Sequence, residues 1–200
     1  MLLRQAIVAG FDWVDLESDV ADAIPRYRSV KRLISYQNIL EIPDDLEQIY
    51  EHMCKQDADV VKLAVRAHHP SDNLRVLELV KKRLRPTVAF CMGDIGLPSR
   101  ILGAKYGSPF AYAAFNKERN ITPGLPSFDE IRHVYHYEQI DAQTQVYGVI
   151  GDPVGHSLSP LVHNEAMRSL HLNAVYLPFR VPRGNLESFV RQFDTIPVHG

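Results

Sequence analysis

What most constrains this chain is a beat: short, nearly continuous apolar runs separated by stretches of helical period. FDWVDLE from Phe11, VKRLISY from Val30, ADVVKLAV from Ala58, PTVAFCM from Pro86 and PFAYAAF from Pro109 are rich in β-branched and aromatic residues. A strand that is apolar at consecutive positions has both faces covered, as strands in a helix-flanked parallel sheet do. Between the runs, DDLEQIYEHMCKQ puts Leu46, Ile49, Tyr50 and Met53 on one side. SDNLRVLELVKKRL carries Leu74, Leu77 and Val80 behind a Ser71 cap. Alternating strand and helix predicts an α/β fold with a parallel sheet or barrel, the five runs being its strands. Trp13 and Tyr50 are expected in the core.

The beat breaks after the helix-like SFDEIRHVYHY and the turn-prone EQIDAQTQ. A second series follows: strand VYGVIGD, helix SPLVHNEAMRSL, strand NAVYLPF and helix GNLESFVRQF. This places a boundary near Asp141 and predicts two domains, 1–141 and 142–200. Met1 reads as mid-helix and Gly200 falls where TIPVHG begins a strand, so the chain is expected to be cut at both ends. FDWVDLE would then be an unpaired parallel edge.

Composition excludes several classes of function. With 46% hydrophobic residues, 23% charged and a net charge of −2, the chain has material for a core in each domain. It has no basic run of the kind that nucleic-acid binding needs. No apolar run approaches the roughly 18 residues of a membrane span, and MLLRQAIVAGFDWV lacks the pattern of a signal peptide. Cys54 and Cys91 lie far apart, so a reducing cytoplasm is the expected location. His68 and His69, His133 and His136, and His156 and His163 offer pairs without a third converging ligand, so no metal is expected. Gly148, Gly151 and Gly155 do not have the G-x-G-x-x-G spacing of a dinucleotide site.

Two stretches carry chemistry. Lys62 sits mid-strand in ADVVKLAV, flanked by two valines and a leucine. Alternation puts it on one face with Val60 and Ala64; turned into a barrel, that face would desolvate the amine and suit it to Schiff-base formation with a ketone, the alternative being a lysine that snorkels to solvent. In VIGDPVGHSLSPLVHN, Gly151 and Gly155 allow close backbone approach, and Pro153 and Pro160 stiffen the turn. Ser157 and Ser159 can aim two hydroxyls at one anion, such as a carboxylate, beside a helix starting near Pro160. A simple turn with a capping serine would account for Ser159 but not for Ser157.

RLISYQNI, ADVVKLAV, CMGDIGLPSRILGAKYGSPFAYAAF and ITPGLPSFDEI, in that order, resemble the second half of type I 3-dehydroquinate dehydratase, a (β/α)8-barrel family. The resemblance covers about residues 1 to 140 and implies that Lys62 is the Schiff-base lysine for 3-dehydroquinate, with no cofactor. It also implies that Arg100 binds the substrate carboxylate and that Met92 lines the site. Gln37 stands in the catalytic position where the family has a histidine, and Ile121 and Leu125 replace polar residues of the substrate-covering loop. Glu17 matches an acidic strand position.

GDPVGHSLSPLVHN resembles the substrate-binding signature of shikimate dehydrogenase, over roughly residues 145 to 200. This implies that Ser157 and Ser159 hold the carboxylate of 3-dehydroshikimate or shikimate. NADP would bind a further domain outside this chain. The expected fold is therefore a partial (β/α)8 TIM barrel followed by the start of a shikimate dehydrogenase-like α/β substrate-binding domain. Together the two parts resemble the bifunctional enzymes of the shikimate pathway, which leads to chorismate and the aromatic amino acids. Two other readings remain: a divergent Schiff-base lyase, and a non-catalytic barrel fused to a dehydrogenase, the latter motivated by Gln37, Ile121 and Leu125.

Overall fold

The runs form two separate parallel sheets in the structure, a computed structural model that describes residues 5, 8–27, 30–116, 118, 122–192 and 198–200. The first sheet has strands β1 (Trp13–Glu17), β2 (Lys31–Asn38), β3 (Val60–Arg66) and β4 (Thr87–Met92), in that spatial order. Helix α1 (Leu46–Lys55) crosses from β2 to β3, and α2 (Asp72–Lys82) from β3 to β4. The short α3 (Leu97–Leu102) follows β4. In the second sheet, β5 (Gln145–Gly151) pairs with β6 (Ala174–Arg180) around helix α4 (Ser159–Ser169), and α5 (Leu186–Arg191) follows. Val198 bridges to Val146 on the other edge of β5. The first residues of TIPVHG, like Ile121 and Met1, lie outside the described residues.

Alternation assigns the two faces of the first sheet. Ile34, Val61, Leu63 and Cys91 meet Leu46, Tyr50, Met53, Val76 and Leu79 of the helices in one core cluster. Leu33, Val60, Ala64, Val88, Phe90 and Met92 share the opposite, inner face, against which Phe110 and Tyr112 pack. Helix α2 serves two cores: Val76, Leu79 and Val80 face the first sheet, while Leu77 joins Ile101, Leu102, Val175, Leu177 and Phe179 of the second. The linker is held as well, since the Lys105 ammonium donates to the carbonyls of Ala142 and Thr144, each at 2.8 Å.

Three expectations are corrected. PFAYAAF is not a fifth ladder strand. Pro109 has no N–H to give, and the Ala114 N–H and carbonyl are taken by Pro126 and Phe128, in a bridge to Ser127 rather than to β4. Ser71 makes no side-chain cap; instead the Asp72 carboxylate accepts the N–H groups of His68 and His69 ahead of α2. Tyr50 is fully buried, but Trp13 is 41% exposed, because alternation puts Val14 and Leu16 on the helix side and Trp13 on the inner face at the sheet edge.

Candidate active site

The inner face is organised in cross-strand rows. Glu17, Ser35, Lys62 and Val88 are register partners in one row, and Gln37, Ala64 and Phe90 in the next. Lys62 therefore projects inward at mid-strand, half-buried, with Nζ 5.4 Å from the centre of the Tyr112 ring. Its hydrogen-bond partner is Asp15 Oδ2 at 2.6 Å, two strands away. Glu17, although it is the row partner, makes no such bond. The small Ser35 between them, whose hydroxyl turns back to the Leu16 carbonyl, leaves the path open. Asp15 is thus a site residue that the motif reading passed over. Period two was the signal, since Asp15 and Glu17 share a face and either can meet a lysine from β3.

Arg100 reaches the same face from behind β4. The turn that carries it is fixed by a buried network. Ser99 Oγ accepts the Cys91 N–H at 2.9 Å and donates to the Gly96 carbonyl at 2.8 Å, while Asn73 binds both the Ser99 N–H and the Ile95 carbonyl. Gly96 lies so close to the Cys91 backbone that any Cβ would collide with it. The Arg100 guanidinium stacks on Phe90, with Cζ 4.1 Å from the ring centre. It is 5% exposed, and its Nε has no hydrogen-bond partner among the described residues. Burial pulls its pKa down to about 10. A buried cation without a counter-charge is costly, and an anion brought to it regains charge-assisted hydrogen bonds.

Lys62 and Arg100 are thereby linked through aromatic rings: Lys62 faces Tyr112, Tyr112 lies 5.9 Å from Phe90, and Phe90 carries Arg100. Met92 lies buried on this face at the end of β4, beside Arg66 in register. Gln37 sits one row beyond Lys62 with its side chain exposed, forming no side-chain hydrogen bond to a described residue. Leu125 is half-buried, closing a turn from Thr122. In that turn Gly124, at φ 72°, presses on the Gly93 backbone, so the loop lies against the end of β4.

The serine motif lies in the second module. Ser157 and Ser159 are both half-buried where the loop after β5 enters α4. The hydroxyl that caps the helix is that of Ser157, accepting the Ser159 N–H at 3.2 Å, rather than that of Ser159 itself. Gly155 faces open space, so chain packing alone does not demand glycine there.

Two stretches of the chain match known families. Residues 1–142 fit the family model described as type I 3-dehydroquinase. The chain belongs to the type I 3-dehydroquinase family. Residues 149–200 match the shikimate dehydrogenase substrate binding domain. Among curated relatives, the bifunctional 3-dehydroquinate dehydratase/shikimate dehydrogenase of Arabidopsis thaliana is 32% identical over 97% of this chain and 33% of its own length. A 3-dehydroquinate dehydratase of Syntrophobacter fumaroxidans is 36% identical over 61% of this chain and 56% of its own. The solved dehydroquinate dehydratase and shikimate dehydrogenase from S. pombe AroM covers 94% of this chain with a TM-score of 0.57; at 23% identity, over 37% of that chain, it shows the fold alone. This chain thus spans about a third of the bifunctional plant relative.

The described residues do not fit a pyrophosphate. After β5, the Asp152 carboxylate occupies the loop, bound at 2.9 Å by Arg180, which also reaches Asp94 at 3.3 Å. The Asp152 bond, foremost, holds the Arg180 pKa above its usual value. Two carboxylates at that mouth oppose a dinucleotide phosphate, so no cofactor step is assigned to these residues. Among the described residues, no three His, Cys, Asp or Glu side chains come together to hold a metal ion.

Proposed function

We propose that the first module, up to about Asp141, is the C-terminal part of a barrel that dehydrates 3-dehydroquinate through a Schiff base at Lys62. The second module, from about 142, would hold the carboxylate of 3-dehydroshikimate or shikimate at Ser157 and Ser159, for reduction with NADPH in the full-length protein. One observation carries the dehydratase reading: a strand lysine and a buried guanidinium, whose Nε has no hydrogen-bond partner among the described residues, meet one aromatic inner face. Those are the two groups that a keto acid needs, an amine for its ketone and a cation for its carboxylate. Met92 and Leu125 would line this pocket, with Gln37 at its rim. The two free cysteines favour a reducing compartment, the cytoplasm. No helix among the described residues is long and apolar enough to cross a membrane.

The test is borohydride reduction of the full-length protein with 3-dehydroquinate, followed by peptide mass mapping. The reading requires an adduct on Lys62 that disappears in Lys62→Met. A protein that turns over 3-dehydroquinate without any adduct would remove it.

A further inference from the structure

Schiff-base chemistry needs a group that carries protons at the nitrogen and at the neighbouring carbon, and the inner face offers few. The Gln37 amide is neither an acid nor a base near neutral pH, and it makes no bond to Lys62. Asp15 is engaged as the counter-charge of the ammonium. Arg100 stays protonated. Tyr112 differs from all three. Its ring lies beneath Lys62 Nζ at 5.4 Å, near enough for the lysine charge to pull on the Tyr112 pKa. Phe90 and Phe110 hold the ring from two sides, each with its centre at 5.9 Å.

We infer that Tyr112 is a catalytic residue, its phenol carrying the protons of the Schiff-base reaction at Lys62 in a barrel that has an amide at Gln37. The inference rests on the Schiff-base reading above. Burial raises the Tyr112 pKa and the nearby Lys62 opposes that rise, so the group enters the cycle as a neutral acid. Once the Lys62 ammonium has given one proton to solvent, its neutral Nζ adds to the substrate ketone to give a carbinolamine. The carbinolamine C–O bond then breaks, its oxygen takes the phenol proton and leaves as water, and the nitrogen lone pair forms the iminium.

The phenolate beside that cation next removes a proton from the adjacent carbon. The C–H electron pair becomes a C=C bond and the iminium collapses to a neutral enamine, restoring the phenol. The enamine then expels the hydroxyl one carbon further on, which leaves as water with the Tyr112 proton and generates a conjugated iminium. Water adds to that iminium, giving its proton to the phenolate, and the carbinolamine breaks down to product ketone and free lysine. The cycle consumes one water and releases two, the net loss of one water that a dehydration requires.

Tyr112→Phe keeps the ring, its packing and its contact with the ammonium, and removes only the hydroxyl. In the full-length protein this variant should lower kcat for 3-dehydroquinate by about a hundredfold or more, with KM changed by less than about threefold. It should still yield the borohydride adduct at Lys62, more slowly, with water replacing the phenol as proton donor. Adding Gln37→His to Tyr112→Phe should recover at least about tenfold, because imidazole supplies a proton carrier one row away. An adduct together with an unchanged kcat in Tyr112→Phe overturns this inference alone. Loss of the adduct from the unmodified protein overturns the Schiff-base reading and this inference together.

Discussion

Lys62 Nζ donates a 2.6 Å hydrogen bond to Asp15 Oδ2, joining residues 47 positions apart across the intervening strand β2. The lysine side chain is 14% exposed and the aspartate 45%. The carboxylate thus sits where an iminium, which has the same charge as the ammonium, would form.

Asp15→Asn should therefore slow adduct formation at Lys62 by about tenfold, because it removes the charge that stabilises the developing cation. Its stability cost should be small, about 0–1 kcal/mol, since the carboxylate is well solvated. Trapping rates with borohydride and a urea midpoint separate the two effects. An unchanged trapping rate would show that the ion pair only holds Lys62 in place.

Arg100→Met should move stability and binding in opposite directions. A buried cation with no counter-charge among the described residues gives way to an apolar side chain of similar length, so the melting temperature should hold or rise. Loss of a charge-assisted bond to the substrate carboxylate should cost about 1.5–3 kcal/mol, a KM increase of roughly tenfold to a hundredfold. A variant that melts lower and keeps its KM would contradict both halves of this argument.

Ser157 and Ser159 should separate in the same manner. Ser157→Ala removes the hydroxyl that accepts the Ser159 N–H and should cost about 1 kcal/mol of stability as well as weakening shikimate binding. The Ser159 hydroxyl has no partner among the described residues, so Ser159→Ala should weaken shikimate by about tenfold to a hundredfold and leave stability unchanged. Calorimetric titration with shikimate alongside thermal melts reads both. Full-strength binding in the double alanine variant would remove the clamp.

Acid should loosen the N-terminal end of the barrel strands. Arg26 bonds Asp57 at 2.7 Å and Asp59 at 2.8 Å. The Arg26 hydrogen bond, foremost, depresses the Asp57 pKa below its ordinary 3.8. For Asp59, burial pushes upward, but the Arg32 N–H and Arg26 outweigh it and the pKa again falls. A depressed carboxyl pKa in the folded state contributes stability that is present above the ordinary value and is lost as pH falls through the folded one. Stability should therefore decline from just above pH 3.8 downward, more shallowly in Arg26→Met. Superimposable curves for the two proteins below pH 4 would show that the cluster contributes nothing.

Much of the fold was legible because it depends on local period. Runs of β-branched residues became β1 to β4, and the apolar stripe of DDLEQIYEHMCKQ became α1 with Leu46, Tyr50 and Met53 inside. Strand alternation alone put Lys62 on the face of Val60 and Ala64. The motifs marked Arg100, Met92, Ser157 and Ser159, although their roles await the experiments above.

Period says which face a side chain occupies, not which distant residue stands opposite. Register between strands far apart in sequence chose Asp15 over Glu17 as the partner of Lys62. Packing divided α2 between two cores and brought Tyr112 beneath the Lys62 ammonium, although its run failed as a strand. The same packing buried Arg100 without a counter-charge among the described residues. The sequence by itself determined the elements and their faces, because both follow from neighbours along the chain. The pairings that make a site were decided only by the tertiary structure, because they rest on hydrogen-bond register and close packing between segments tens of residues apart.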